Sequence, residues 1–161
     1  MLARNTGGKF SDVSSASGSV FQDAWVGRGL AIGDIDNDGR IDAVVTTNGG
    51  GSHILHNETA TANHWITLRL VGHKSNRDGI GAVVKLVTNQ GSQWVTVTTS
   101  GSYLSASDPR VHFGMGNSNL ATSIQIQWPS GLTQTLANIK ADQQIQVDEP
   151  SGPDPRPAAS H

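Results

Sequence analysis

The run Asp34-Ile35-Asp36-Asn37-Asp38-Gly39-Arg40-Ile41-Asp42 gathers four carboxylates into nine residues and closes them over a glycine. Carboxylates about 4 Å apart repel by roughly 4 kcal/mol per pair even at an effective dielectric near 20. Four of them in one tight turn therefore point to a cation among them, and a hard ion that takes six to eight oxygens, Ca²⁺, suits the donor set. Asp34, Asp36 and Asp38 would supply side-chain oxygens, Arg40 its main-chain carbonyl, and Asp42 the closing bidentate carboxylate. Gly39 permits the positive φ that such a turn needs. The competing reading is an Asp/Asn/Gly hairpin turn without metal, but a plain turn needs one or two such residues rather than four.

Other residue types here could also do chemistry. Ser102, Ser105, Asp108, Arg110 and His112 bring nucleophile, acid and base types within eleven residues. No Gly-x-Ser-x-Gly elbow accompanies them, and Ser-Gly and Asp-Pro are turn formers, so this stretch reads as a loop that Arg110 pins by pairing with Asp78 or Asp108. Arg77 and Asp78 are expected to serve structure in the same way. His53, His56, His64 and His73 have no cysteine to join them, and on a strand His53 and His56 would point to opposite faces, which argues against zinc. Trp65, Trp94 and Trp128, with Tyr103, are candidates for a sugar-stacking platform, against the commoner role of core and rim packing.

The acidic loop must be held by its flanks. Gly29 to Gly33 before it and Ala43 to Thr47 after it are short, apolar or β-branched and glycine-bounded, which gives strand, loop, strand. An EF-hand is excluded, because its twelfth position calls for Glu and here holds Val45, and because helices should flank it. Further strands are expected near Lys9 to Val13 and Ser52 to Leu55. The run from Gly27 through Asn48, with the acidic loop inside it, resembles an FG-GAP or VCBS-type repeat, the blade unit of integrin-like β-propellers. The N-terminal Leu2 to Val13 is similar to the end of a preceding blade, and Ile54-Leu55-His56-Asn57 repeats that end in short form. The resemblance implies one partial blade over residues 1–60. Asn57-Glu58-Thr59 fits a glycosylation acceptor pattern but is read as a surface turn.

From His64 the pattern turns to alternation in Trp65 to Leu70, Ala82 to Thr88, Gln93 to Thr99 and Thr122 to Trp128, the mark of half-buried antiparallel strands. Asn89-Gln90-Gly91-Ser92 carries hairpin chemistry between two of these. Pro129-Ser130-Gly131 turns the chain back through Leu132 to Leu136, and a last strand covers Gln144 to Val147. The proline-rich run from Glu149, with the tail at residues 150–161, is expected to be disordered. The words Asn76-Arg77-Asp78-Gly79-Ile80-Gly81-Ala82, Ser100-Gly101-Ser102-Tyr103-Leu104-Ser105, Asp108 to Gly116 and Gln127-Trp128-Pro129-Ser130-Gly131 resemble the ASPIC/UnbV domain. That domain follows a propeller in cartilage acidic protein-like and related bacterial secreted proteins. The resemblance implies a calcium-binding architecture with no established reaction.

The 161 residues carry 19 glycines, no cysteine and a net charge of −2. The composition favours an all-β class: a partial β-propeller blade followed by a small antiparallel β-sandwich or barrel over residues 64–149. The weak charge gives no electrostatic case for nucleic acid, no run is long enough for a membrane span, and Met1 to Gly8 has no signal-peptide core. Calcium would do any stapling, and a modest-affinity loop fills only where Ca²⁺ nears millimolar, so an extracellular or secreted setting is expected, within a longer protein. The function expected is a non-enzymatic adhesion or scaffolding module with a protein or glycan partner. A carbohydrate-binding accessory module of a secreted enzyme is the alternative. A lone blade would leave Leu30, Ile32, Val44 and Leu55 on an apolar face, which predicts self-association through it.

Overall fold

A computed structural model describes residues 2–152. Among them there is no α-helix, and twelve strands carry the fold. In chain order these are β1 (Ala3–Thr6), β2 (Lys9–Asp12), β3 (Gly27–Gly33), β4 (Asp42–Thr47), β5 (His53–Leu55), β6 (His64–Val71), β7 (Val83–Thr88), β8 (Gly91–Thr96), β9 (Val111–Gly116), β10 (Leu120–Gln127), β11 (Thr133–Lys140) and β12 (Gln143–Asp148). Two short 3-10 turns, Ser14–Ala16 and Ser19–Gln22, separate β2 from β3.

The strands from β6 onward form two packed sheets, in the orders β11-β10-β7-β8 and β12-β6-β9. Alternation decides which side chains face inward. Ile66, Leu68 and Leu70 from β6, Val111, Phe113 and Met115 from β9, Val84 and Leu86 from β7, and Ile124 and Ile126 from β10 join one buried cluster with Trp128. This is a sandwich; no barrel closes. The Asn89-Gln90 turn joins β7 to β8 with Thr88 opposite Gly91, as the hairpin chemistry requires. One pairing departs from the antiparallel expectation: β12 lies parallel to β6, with Ile145 opposite Leu68. β9 is a strand where a loop is expected, because glycines at 114 and 116 hide the inward alternation of Val111, Phe113 and Met115.

The earlier strands form the antiparallel sheet β3-β4-β5 and the hairpin β1-β2. In the register Leu30↔Val45 and Ile32↔Ala43, the acidic run is the β3-β4 connection. The four residues expected on one apolar face divide, because alternation puts Leu30, Ile32 and Leu55 on one face and Val44, opposite Ile54, on the other; Leu30 is 43%, Ile32 49% and Ile54 69% exposed, while Val44 and Leu55 are half-buried.

The open edge of β3 is not left bare. The Leu30 amide donates to Ser102 Oγ (3.2 Å), the Ile32 amide to Ser107 Oγ (3.2 Å), and the Asp108 amide to the Ile32 carbonyl (3.0 Å). Residues 102–108 thus saturate an edge that would otherwise offer unpaired backbone groups. The fit is close: a Cβ at Gly29 would fall 2.5 Å from Ser105 Oγ, and one at Gly33 2.9 Å from Asp108 Cβ.

The expectation of a disordered start to the tail fails at Glu149. It is 2% exposed, and its Oε2 accepts the amides of His73, Lys74 and Ser75 at 2.7 to 2.8 Å. Its Oε1 accepts the hydroxyls of Ser75 (2.9 Å) and Ser130 (2.5 Å). Burial pushes the carboxyl up, but the Ser130 hydroxyl and the Ser75 and His73 donors outweigh it and hold the pKa at about 2. The rest of the expected tail, from residue 153, lies outside the described residues.

Candidate metal centre

The β3-β4 connection turns twice through left-handed backbone, at Asn37 (φ 61°) and Gly39 (φ 87°). That path folds the alternate aspartates inward, so one carboxylate oxygen from each of Asp34, Asp36 and Asp38 lies within 4.8 Å of the others. Asp34 is buried at 4% exposure. The loop's own amides face these oxygens: the Asp38 N–H is shared by Asp34 Oδ1 (3.0 Å) and Asp36 Oδ1 (3.3 Å), and the Gly39 N–H reaches Asp34 Oδ2 (3.0 Å).

Asp42 stands apart from this trio. It is buried, and its two oxygens accept the amides of Ile35 (3.0 Å) and Asn57 (2.8 Å), which tie the loop's ends to the irregular segment after β5. It groups instead with Asp36 and His56, so Asp36 belongs to both sets. His56 Nε2 lies 2.9 Å from Asp36 Oδ2. This hydrogen bond, against the pull of burial, raises the imidazole above its ordinary value. For Asp36, burial pushes upward, yet the contacts from His56 and the Asp38 amide leave it below the usual carboxylate range.

Arg40 contributes its side chain as well as its place in the loop. Its guanidinium forms an ion pair with Asp38 and donates from Nε to the Asn57 carbonyl (2.5 Å). Asp38 Oδ2 is buried and accepts no hydrogen bond, the contact with Arg40 being an ion pair without hydrogen-bond geometry. Three converging carboxylates, of which the Arg40 guanidinium pairs with one, are an all-oxygen set that fits a hard cation held by Asp34, Asp36 and Asp38. The set contains no cysteine and only one imidazole at its margin, which does not suit a softer metal.

The sandwich supplies what the sequence did not reveal, the seat of the loop. The outward side chains of β6 and β9, among them Trp65, Thr67 and His112, carry it. A Cβ at Gly39 would fall 2.0 Å from the Trp65 indole Nε1. Trp65 in turn stacks on His112, with ring centroids 6.0 Å apart. His112 Nδ1 lies 2.9 Å from Thr67 Oγ1; burial holds its pKa below the ordinary imidazole value, with Asp34 opposing and Arg110 adding to the shift. Gly39→Ala should therefore cost about 2–3 kcal/mol, from left-handed strain and a displaced indole, read as a lower unfolding midpoint.

Arg110 fastens the loop from the side. Nε and Nη2 hold Asp108 Oδ2 at 2.6 and 2.5 Å, Nη1 donates to Asn37 Oδ1 (2.5 Å) and Gln144 Oε1 (2.9 Å), and Nη2 donates to the Asp34 carbonyl (2.6 Å). The hydrogen bond to Asp108 leads in raising its pKa, against the pull of burial. Of the two expected partners, Asp108 is the one found; Asp78 and Arg77 lie apart, 51% and 87% exposed at their side chains, in contact with each other at 3.8 Å. A cavity of about 350 Å³ opens on the far side of Arg110, between Arg69, Asp78 and Gln144.

The other candidates disperse. His53 stacks on Trp25 at 3.9 Å and does not meet His56. Trp128 is buried, donating to Gln134 Oε1 (3.1 Å), and Trp65 lies under the acidic loop, so these two take the commoner packing role and do not join Trp94 in one platform. Ser102 and Ser105 are occupied by backbone groups. Asn57 is no plain surface turn: its side chain donates to the Ile41 carbonyl (3.2 Å) and helps close the loop.

A two-sheet sandwich carrying these words over its loops defines a class, and the sequence comparison agrees: the ASPIC and UnbV family matches residues 72–154, and the chain belongs to that family. Among individual proteins it is similar to cartilage acidic protein 1 of Xenopus tropicalis, 27% identical over 131 residues, 77% of this chain and 20% of that protein. The mouse protein of the same name is 24% identical over 144 residues (85% and 22%), and the human one 25% over 151 (87% and 22%). The chain spans about a fifth of the length of these curated relatives. No helix of the described residues is long and apolar enough to cross a membrane.

Proposed function

We propose that this chain is a non-enzymatic, calcium-binding extracellular module for adhesion or scaffolding, in which residues 1–60 are an FG-GAP/VCBS-type repeat and residues 64–149 an ASPIC/UnbV-like β domain. The observation that carries the reading is the convergence of one carboxylate oxygen each from Asp34, Asp36 and Asp38 to within 4.8 Å of one another. Bound there, Ca²⁺ would neutralise the carboxylates and stiffen the β3-β4 connection. A site of this type that fills where Ca²⁺ is near millimolar would suit an extracellular setting. The exposed Leu30 and Ile32, which the register puts on one face of the β3-β4-β5 sheet, are the surface through which a neighbouring blade or a second copy would pack. The non-enzymatic reading is supported by one contact: among the described residues the hydroxyl that meets an imidazole is Thr67, which is 2% exposed.

Calcium titration of chelator-stripped protein tests this. At ten times the dissociation constant, binding adds about 1.4 kcal/mol of stability and raises the unfolding midpoint by a few degrees. Asp38→Ala should abolish the increment. A midpoint indifferent to Ca²⁺ in the unaltered chain would overturn the assignment. A second reading, a carbohydrate-binding accessory module, has one observation in its favour: Trp94 stands 62% exposed on a sheet face while Trp128 is buried.

A further inference from the structure

The sandwich has two outer faces with different fates. That of β12-β6-β9 seats the acidic loop; that of β11-β10-β7-β8 has nothing over it among the described residues. On this second face the register aligns Trp94, Lys85 and Gln125 in one row across three strands. Thr96, Gln127 and Thr133 lie in the next row along, through Val83. Rows across adjacent strands step by about 4.8 Å, so four strands give a flat strip roughly 14 Å long.

The strip's chemistry is selective. Trp94 is 62% exposed, and Lys85 Nζ lies over its ring, 4.7 Å from the centroid, in a cation–π contact. Gln125, Gln127 and Thr133 are exposed and their side chains bond to no described residue. The four strands contain no Asp or Glu; their ionisable residues are Lys85 and Lys140. In a chain of net charge −2, this sheet is a carboxylate-free, positively charged surface.

We propose that this face binds an acidic polysaccharide, with a pyranose ring stacked on Trp94, hydroxyls bonded by Gln125, Gln127 and Thr133, and a carboxylate or sulfate paired with Lys85. An aromatic face and planar amides suit a sugar's apolar ring face and equatorial hydroxyls. Unpaired cations with no competing carboxylate suit its charge. The proposal rests on the carbohydrate-binding reading and is independent of the metal.

The test is calorimetric titration of the full chain, in chelator so that calcium bridging plays no part, with polygalacturonate, its methyl-esterified form, dextran sulfate and unmodified dextran. Binding of polygalacturonate or dextran sulfate is expected, and which of the two is tighter separates carboxylate from sulfate. Trp94→Ala should weaken it about tenfold or more with an unchanged unfolding midpoint, since the ring packs on no core residue. Lys85→Gln should weaken the acidic polymers alone. Binding of none of the four would overturn both this site and the carbohydrate reading. Equal binding of esterified and acidic forms would overturn the site's anionic class while leaving a carbohydrate role standing. Undiminished binding by a folded Trp94→Ala variant would overturn the site itself.

Discussion

Glu149→Gln is expected to lower the stability of the sandwich by about 3 kcal/mol at neutral pH, the linkage equivalent of a carboxyl held at about 2 against an ordinary 4.5. The amide keeps the shape but loses the charge that three consecutive backbone N–H groups and two hydroxyls converge on. The sign with pH follows from the depressed value. The carboxylate's contribution is fully present above about pH 4.5 and drains away as pH falls toward 2, because the unfolded chain takes up the proton first. Denaturant unfolding of both proteins between pH 7 and pH 2 should show curves that start far apart and converge. A constant gap, or none at neutral pH, would mean that the three amides find other partners and the carboxylate is dispensable.

Arg110→Ala is expected to be at least as severe, about 3–5 kcal/mol, because it strands a partly buried Asp108 and frees the acidic loop from the sandwich in one step. The outcome should not be uniform along the chain. Amide exchange should quicken in residues 27–57, where the Asn37 and Asp34 contacts are lost, more than in the inward strands β7 and β10. Arg110→Lys should recover little, since one ammonium cannot reach Asp108, Asn37, Gln144 and the Asp34 carbonyl together. Uniform loss of protection would show that the guanidinium merely supports the sandwich. A stability loss under 1 kcal/mol would show that the contacts are surface decoration.

How much of this was legible in the sequence depended on whether the information was local. The convergence of Asp34, Asp36 and Asp38 follows from alternate spacing and a glycine, both within one turn. The strands of the sandwich follow from alternation, as in Ile66, Leu68 and Leu70, and the β7-β8 pairing from its turn residues. β9 escaped because two glycines diluted a pattern that Val111, Phe113 and Met115 still carry. Nothing local could have linked Glu149 to Ser75 and Ser130, or Arg110 to Asn37, since each contact joins distant stretches whose approach only the packed sheets decide. The same limit explains the aromatic residues: exposure separates Trp94 from Trp65 and Trp128, and exposure is a property of the assembled sandwich.

The parallel pairing of β12 with β6 has a consequence for how the molecule comes to be folded. β6 opens the sandwich and β12 ends it, so the sheet's central strand waits for one of its neighbours until almost all the intervening chain has been made and placed. Contacts of such long sequence separation are closed late, at the cost of loop entropy, and set a slow folding rate. Until then one edge of β6 is open beside the apolar Ile66, Leu68 and Leu70, a surface on which a second nascent chain can add a strand in register. Refolding of this protein should therefore lose yield with rising concentration, with a late, single kinetic step in which β12 docks and Glu149 settles onto its three amides as the latch.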